Sequence, residues 1–307
     1  MNDSDFAGRD VVSICDFSRE ELEYVFDATA AIERVGSPKT LDGKLVALLF
    51  YEPSTRTHST FEVAAQRLGC RTTGFSAPEK ASVAKGETLN DTIKMYEGYG
   101  ADCIVIRHNL MGASRFAAEV SSVPVISGGD GSREHPTQAM VDLYTIRKAF
   151  GRIDGLHVGI LGDLKYGRTA SSLSYGLSNY EVEISFIAPD LLAARRETLR
   201  ALKEKGTKVH STADIKEVIG SLDVLYVTRI QKERIPDPTE YERVRGLYRV
   251  NLDLLREGKK GLKVMHPLPR LDELAIEVDG TDYAGYFAQA AAGVPLRMAL
   301  LRMVVGT

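Results

Sequence analysis

The chain has no tryptophan and only three cysteines in 307 residues. Cys15, Cys70 and Cys103 show no CxxC or other ligand spacing, and their odd number cannot close a complete disulfide framework. That pattern fits reduced thiols of a cytosolic protein and argues against a structural zinc site. An excess of either charge is also missing: 39 Lys and Arg against 42 Asp and Glu leave a formal net charge of -3. A nucleic-acid binder would show a basic excess, although a local basic cleft for a small anion is compatible with these totals. No apolar run approaches the ~18 residues that span a bilayer, and the polar, acidic start MNDSDFAGRD is not a signal peptide. The expectation is a soluble, cytoplasmic protein with neither membrane nor nucleic acid as partner. Familiar catalytic signatures are absent as well: no GxSxG elbow, no HExxH, no GxGxxG after a strand and no acidic cluster. Neither a metal nor an organic cofactor is expected.

What is present is a regular alternation. At roughly 150 residues per domain the length predicts two domains, each able to bury its own core. SREELEYVFDATAAIERV opens with a capping box of Ser18 and Glu21, and Leu22, Val25, Phe26 and Ile32 follow at helical spacing. Short apolar runs then follow as strand candidates: LVALLFY, CRTTGFS, DCIVIR, VPVIS, LHVGILGD, VEISFIAP, KVHST, DVLYVT and LKVMH. Helix-like segments such as GETLNDTIKMYEGYG, TQAMVDLYTIRKAF and LLAARRETLRALKEKG lie between them. Strand, helix, strand, with the strands apolar along most of their length, predicts an α/β fold of doubly wound parallel sheets. The division between domains is expected after HPTQAMVDLYTIRKAF, where GRIDG supplies two glycines.

Open α/β sheets bind ligands beyond the carboxyl ends of their strands. Here nearly every strand delivers a cation, an imidazole or a hydroxyl at that end. In YEPSTRTHSTFE, Ser54, Thr55, Arg56 and Thr57 share one strand-to-helix turn, where free amides and the helix dipole suit an oxyanion. Later loops contribute Ser82 and Lys85, then Arg107, then His135 and Gln138, with Arg168, Arg229, Gln231 and the HPLPR loop in the second half. GDLKYGRT nearly spells a nucleotide phosphate loop, but Arg168 replaces the compact loop lysine and no later strand ends in a magnesium-binding acid. A neutral His135 opening a helix can donate to a polarised carbonyl. In MHPLPR the prolines hold the chain extended and leave backbone carbonyls for a ligand amide. On its own Lys85 reads as a solvated loop lysine, and His58, His108, His157 and His210 as structural or surface residues. The candidate site is rich in Arg, Lys, His and hydroxyls and poor in carboxylates. It fits a substrate with a phosphate and further carboxylates, and a reaction whose charge develops on oxygen.

Taken in order, PSTRT, SVAKGET, GDGSREHPTQ, GDLKYGRT, TRIQKER and HPLPR resemble the catalytic chains of the aspartate carbamoyltransferase family, from about residue 10 to the end. The resemblance implies carbamoyl transfer from carbamoyl phosphate to L-aspartate, a step of de novo pyrimidine biosynthesis. It implies that Ser54, Thr55, Arg56 and Thr57 hold the phosphate. Arg107, His135 and Thr57 would polarise the carbamoyl carbonyl, while Gln138 and the Leu268 and Pro269 backbone hold its amino group. Arg168, Arg229 and Gln231 would bind the aspartate carboxylates. Ser82 and Lys85 would reach the site of a neighbouring subunit in a homotrimer with shared active sites, to which a separate regulatory chain can be added. It further implies a carbamoyl-phosphate domain over 1–135 completed by a C-terminal helix at 290–307, a connecting helix at 136–150 and an aspartate domain over 151–289, with the active site in the cleft between the domains. His58 departs from the family pattern, which often carries a second arginine there. The competing readings are a carbamoyltransferase for another amine such as ornithine, and an inactive scaffold paralogue.

Overall fold

The computed structural model describes residues 1–36, 38–76, 82–235 and 237–306. It resolves into two compact units, Met1–Met140 with Ala292–Thr307, and Val141–Ala291.

In the first unit, α1 (Arg19–Val35) starts at the anticipated capping box: Ser18 Oγ accepts the Glu21 N–H at 3.2 Å, and Glu21 Oε2 accepts the Ser18 N–H at 2.7 Å. Its face of Leu22, Val25, Phe26 and Ile32 is buried. The chain continues as β1 (Leu45–Phe50), α2 (Thr55–Arg67), β2 (Arg71–Phe75), α3 (Leu89–Gly98), β3 (Cys103–His108), α4 (Ala113–Val120), β4 (Val125–Asp130) and α5 (Pro136–Phe150). The sheet is wholly parallel, in the order β2-β1-β3-β4. Strand β4 runs further than its apolar residues announce, taking in Gly128 and Gly129 of a stretch read from the sequence as loop. Its open edge is covered by the N-terminal segment: Val11 N–H donates to the Val125 carbonyl at 2.8 Å, and Ser127 N–H donates back to the Val11 carbonyl at 2.9 Å.

The second unit contains β5 (His157–Leu161), α6 (Arg168–Leu177), β6 (Glu183–Ile187), α7 (Arg196–Glu204), β7 (Lys208–Thr212), β8 (Val224–Val227), α8 (Pro238–Val244), α9 (Leu252–Arg256) and β9 (Lys263–Met265). Its sheet is also parallel, in the order β7-β6-β5-β8-β9. In both units the inner strands are buried apolar runs, such as Val46–Phe50 and Val224–Val227. The outer strands β2 and β7 are partly exposed, which is why Thr, Ser, His and Lys are tolerated there.

The last helix, α10 (Tyr286–Val305), corrects one expectation: it is long and apolar enough to cross a bilayer by length and composition. It begins at Tyr286, ahead of the 290–307 bounds expected for the C-terminal helix. Most of it is buried, and Arg297 within it donates to Thr60 Oγ1 at 2.8 Å and lies 4.8 Å over the Phe61 ring. Those are the surroundings of a core helix. The partition between units passes through α5 after Met140 and through α10 after Ala291.

Candidate functional site

In the first unit the strand order changes direction between β1 and β3, so the carboxyl ends of these strands form a switch point. Helix α2 starts there at Thr55. Its N-cap residue, Ser54, is extended but makes no side-chain capping bond, unlike Ser18 before α1 and Thr88 before α3. A helix start whose own serine does not cap it keeps both the hydroxyl and the first amides for an anion. Thr55 and Arg56 are exposed, Ser54 is half-buried and Thr57 is buried.

Thr57 Oγ1 lies 3.4 Å from His135 Nε2. Arg107, in β3, donates through Nη1 to the Gly128 carbonyl at 3.0 Å, and its Nη2 lies 2.8 Å from Glu52 Oε1. A Cβ on Gly128 would stand 3.4 Å from the Thr57 methyl, so Arg107, Thr57 and His135 gather around one glycine of β4. His135 is buried at the entrance to α5, and its carbonyl accepts the Gln138 N–H at 3.0 Å. The loop before it is closed by the Asp130 N–H on the Glu134 carbonyl at 2.9 Å. Glu134 carries a buried carboxylate that accepts Ser13 Oγ at 2.6 Å and the Ile14 N–H at 2.9 Å. Burial pushes the Glu134 carboxyl above its usual range, with those two donors opposing the shift.

The structure thus brings Ser54 to Thr57, Arg107, His135 and Gln138 to one end of one sheet. Lys85 is exposed at the end of a short 3-10 turn, Ser82–Lys85. The side chain of Ser82 lies outside the described residues.

In the second unit the order changes direction between β5 and β8. Gly162, at φ 118, approaches Thr228 so closely that a Cβ would sit 2.2 Å from the Thr228 carbonyl oxygen. Only glycine fits there. The next residue, Asp163, is fully buried. Its N–H donates to Thr228 Oγ1 at 3.0 Å, Oδ1 accepts the Tyr166 N–H at 2.8 Å, and Oδ2 accepts the Gln231 N–H at 3.3 Å. Burial pushes this carboxyl upward, against the amide donors around it. Asp163 therefore ties the turn that begins α6 at Arg168 to the segment holding Arg229 and Gln231. Arg168 is buried, and Arg229 and Gln231 are half-buried. An open recess lined by Gly162, Thr228, Arg229, Arg245 and Glu273 adjoins this point. After β9, the Leu268–Pro269 peptide is cis and Leu268 has φ 54.

Four carboxylates behind these groups, Glu52, Glu134, Asp163 and Glu273, were not singled out from the sequence. Only Asp163 carried a signal, an acid directly after the glycine that ends an apolar strand. Among the described residues no group of three or more His, Cys, Asp and Glu is placed to hold a metal ion. Chemically, one unit offers an open helix start with an arginine, an imidazole and hydroxyls, and the other offers arginines and a glutamine on two tied loops. Both halves are built to receive negative charge.

Comparison with known proteins agrees with this chemistry. Residues 9–148 match the family model described as aspartate/ornithine carbamoyltransferase, carbamoyl-P binding domain, and residues 154–304 match its Asp/Orn binding domain. The chain is 54% identical to the aspartate carbamoyltransferase catalytic subunit of Thermococcus kodakarensis over 98% of each chain. It is 53% identical to that of Hyperthermus butylicus over 99% of this chain and 98% of the relative. Among solved structures, aspartate transcarbamoylase from Trypanosoma cruzi in complex with carbamoyl phosphate and aspartate superposes with a TM-score of 0.94 at 35% identity, covering 100% of this chain and 99% of that one. The catalytic subunit of M. jannaschii aspartate transcarbamoylase gives 0.87 at 45% identity, covering 96% and 97%. The chain belongs to the aspartate/ornithine carbamoyltransferase family.

Proposed function

We propose that this family member transfers the carbamoyl group of carbamoyl phosphate to the α-amino group of L-aspartate, releasing phosphate and N-carbamoyl-L-aspartate, and so serves pyrimidine biosynthesis. The observation that carries the reading is the α2 start, whose Ser54 leaves it uncapped, with Thr57 against His135 and Arg107 held beside the same β4 glycine. The phosphate is bound by Ser54, Thr55, Arg56 and Thr57 at that helix start. Arg107, His135 and Thr57 polarise the carbamoyl carbonyl, and Gln138 with the Leu268 and Pro269 backbone takes its amino group. Arg168, Arg229 and Gln231 bind the aspartate carboxylates. The deprotonated amine attacks the carbamoyl carbon, the new C–N bond forms, and the fixed donors hold the tetrahedral oxyanion. The C–O bond to phosphate then breaks, and the amine proton leaves with the departing phosphate. Each well-placed oxyanion donor contributes ~3 kcal/mol to such a step.

The same proposal includes a homotrimer in which Ser82 and Lys85 serve a neighbouring subunit. Its support is the family resemblance and the exposure of Lys85. A regulatory partner chain is supported by the relatives' description as catalytic subunits. A cytoplasmic location accords with three free cysteines. Arginine at both 168 and 229 favours a dicarboxylate acceptor over ornithine, whose second ammonium these cations would repel.

Product analysis with carbamoyl phosphate tests the reading, with aspartate and ornithine offered separately and no added metal or ATP. N-carbamoyl-aspartate and phosphate are expected with aspartate only; citrulline from ornithine would overturn the acceptor assignment. Arg56→Ala and His135→Ala should each lower turnover by ~100-fold or more. Near-normal turnover in either would remove the phosphate and carbonyl roles given to them.

A further inference from the structure

The segment carrying Leu268 and Pro269 leaves β9 at His266 and is fixed from behind by side chains of the second unit. Pro267 and Pro269 have no N–H, so few amides remain to anchor this stretch. The His266 N–H donates to Gln289 Oε1 at 2.9 Å, the Leu268 N–H to His266 Nδ1 at 2.8 Å, and the Leu271 N–H to Glu273 Oε1 at 3.0 Å. Gln289 is itself held, donating to Asp142 Oδ1 at 2.6 Å, while Asp142 Oδ2 accepts the Tyr226 hydroxyl at 2.8 Å. Glu273 Oε1 lies 2.8 Å from His266 Nε2, and both side chains are buried.

These contacts set the tautomer of His266. Nδ1 accepts an amide hydrogen, so it carries none, and the ring hydrogen sits on Nε2 facing the Glu273 carboxylate. Leu268 meanwhile holds φ 54, a left-handed conformation that a side-chain-bearing residue keeps only where its surroundings impose it. On its N-terminal side the Leu268 N–H is held by His266 Nδ1.

We propose that Glu273 and His266 form a positioning pair that sets specificity for the carbamoyl amino group. Glu273 fixes the imidazole, the imidazole fixes the Leu268 amide, and the backbone of that loop is thereby aimed at the amino group. The inference rests on the carbamoyl phosphate assignment above. Neither side chain is given contact with substrate; both act through the Leu268 backbone. The consequence is selectivity. Acetyl phosphate matches carbamoyl phosphate except that a methyl replaces the amino group, and a fixed carbonyl that pairs with an amino group is left unpaired against a methyl.

The test uses the full chain and two ligands: carbamoyl phosphate as substrate and acetyl phosphate as its competitor. Glu273→Ala should raise the carbamoyl phosphate KM by ~10-fold while the acetyl phosphate inhibition constant changes by less than ~3-fold, so that the preference collapses. Glu273→Gln keeps an amide oxygen to accept from both His266 Nε2–H and Leu271 N–H, and should restore the preference. At His266 the substitutions separate the two links. His266→Asn keeps an acceptor near the Nδ1 position but loses the Glu273 link, and His266→Gln replaces the Nε2 side but loses the Leu268 acceptor, so each should lose the preference as Glu273→Ala does. If both ligands weaken equally in a variant shown to be folded by circular dichroism, the pair is merely structural and the proposal fails. It fails equally if Glu273→Gln behaves as Glu273→Ala. Should Glu273→Ala not fold, the two His266 variants decide alone. Wild-type product analysis is read first, so that failure to form carbamoyl-aspartate counts against the function and not against the pair.

Discussion

Replacing Asp163 with alanine should weaken aspartate binding far more than carbamoyl phosphate binding. The carboxylate is fully buried and accepts the Tyr166 N–H at 2.8 Å and the Gln231 N–H at 3.3 Å. Hydrogen bonds to an ionised acceptor contribute about 1.5–3 kcal/mol each, with the longer one at the low end, so about 3–5 kcal/mol is lost. Removing the charge returns part of this, because burying a carboxylate is costly and its carboxyl is already pushed upward by burial. A net destabilisation of about 2–3 kcal/mol is expected in chemical denaturation. The functional effect follows from the loops that come untied, since Arg168 and the Arg229 to Gln231 segment lose their common anchor. An equivalent loss in ground-state binding raises the aspartate KM by ~30- to 140-fold. Phosphate and carbonyl recognition is assigned to the first unit, so the carbamoyl phosphate KM should move by less than ~2-fold on that argument. Steady-state kinetics with each substrate varied at saturation of the other reads both numbers. An unchanged aspartate KM in folded protein, or equal rises for both substrates, refutes the tie.

Glu52→Ala removes the partner 2.8 Å from Arg107 but leaves its bond to the Gly128 carbonyl, so kcat should fall by only ~10-fold, measured as initial rates at saturation. A loss as large as that of Arg56→Ala would make Glu52 more than a support. Gly162→Ala drives a Cβ to 2.2 Å from the Thr228 carbonyl at φ 118, and should destabilise by ~3 kcal/mol or more and shift the denaturation midpoint accordingly. Asp279 is bonded by Arg270 and Tyr286, and Arg270 holds its carboxyl down at about 2 against the ordinary 3.8. A depressed carboxyl stabilises above its unfolded value and loses that contribution as pH falls through the folded one. Asp279→Asn should therefore flatten the acid limb of a melting-temperature profile between about pH 4 and pH 2, modestly because the pair is partly exposed. An acid limb identical to wild type would show that the pair adds nothing.

The fold was legible where period and capping agree. All nine expected strands appear, and the α1 capping box forms as read, because an apolar run between turn residues has few other ways to bury itself. Legibility stopped where backbone pairing overrode composition. Gly128 and Gly129 lie in β4 although glycine disfavours strands; Gly129 holds φ 126, a conformation that favours glycine, whereas at Gly128 a Cβ would meet the Thr57 methyl at ordinary contact distance. The α10 helix shows the opposite failure. Its arginines interrupt the apolar run in a linear reading, yet Arg297 is buried through stacking on Phe61 and a bond to Thr60. Site residues at strand ends were readable because topology alone brings such ends together. Lys85 was not: nothing in its local pattern separates it from a solvated loop lysine.

The carboxylates are the most instructive omission. A site for anionic substrates was expected to be poor in acids, and that expectation drew attention away from acids altogether. Yet arginines, amides and imidazoles that receive an anion must be held in place before it arrives, against the mobility of long side chains. The economical holder is a buried carboxylate on the far side of the donor. Glu52 stands behind Arg107, the Glu134 carboxylate ties the residue before His135 to Ser13 and Ile14, Asp163 binds the Gln231 amide, and Glu273 orients His266. Glu52 and Asp163 bond directly to residues assigned to substrate and Glu134 and Glu273 act through intervening groups, and at three of the four the partner is a backbone amide, a hydroxyl or an imidazole and not a cation. Such acids cannot be found by looking for ion pairs in the sequence. Of the four only Asp163 could be sought there, as a single acid beside a strand-end glycine, where a positioned donor needs an acceptor behind it.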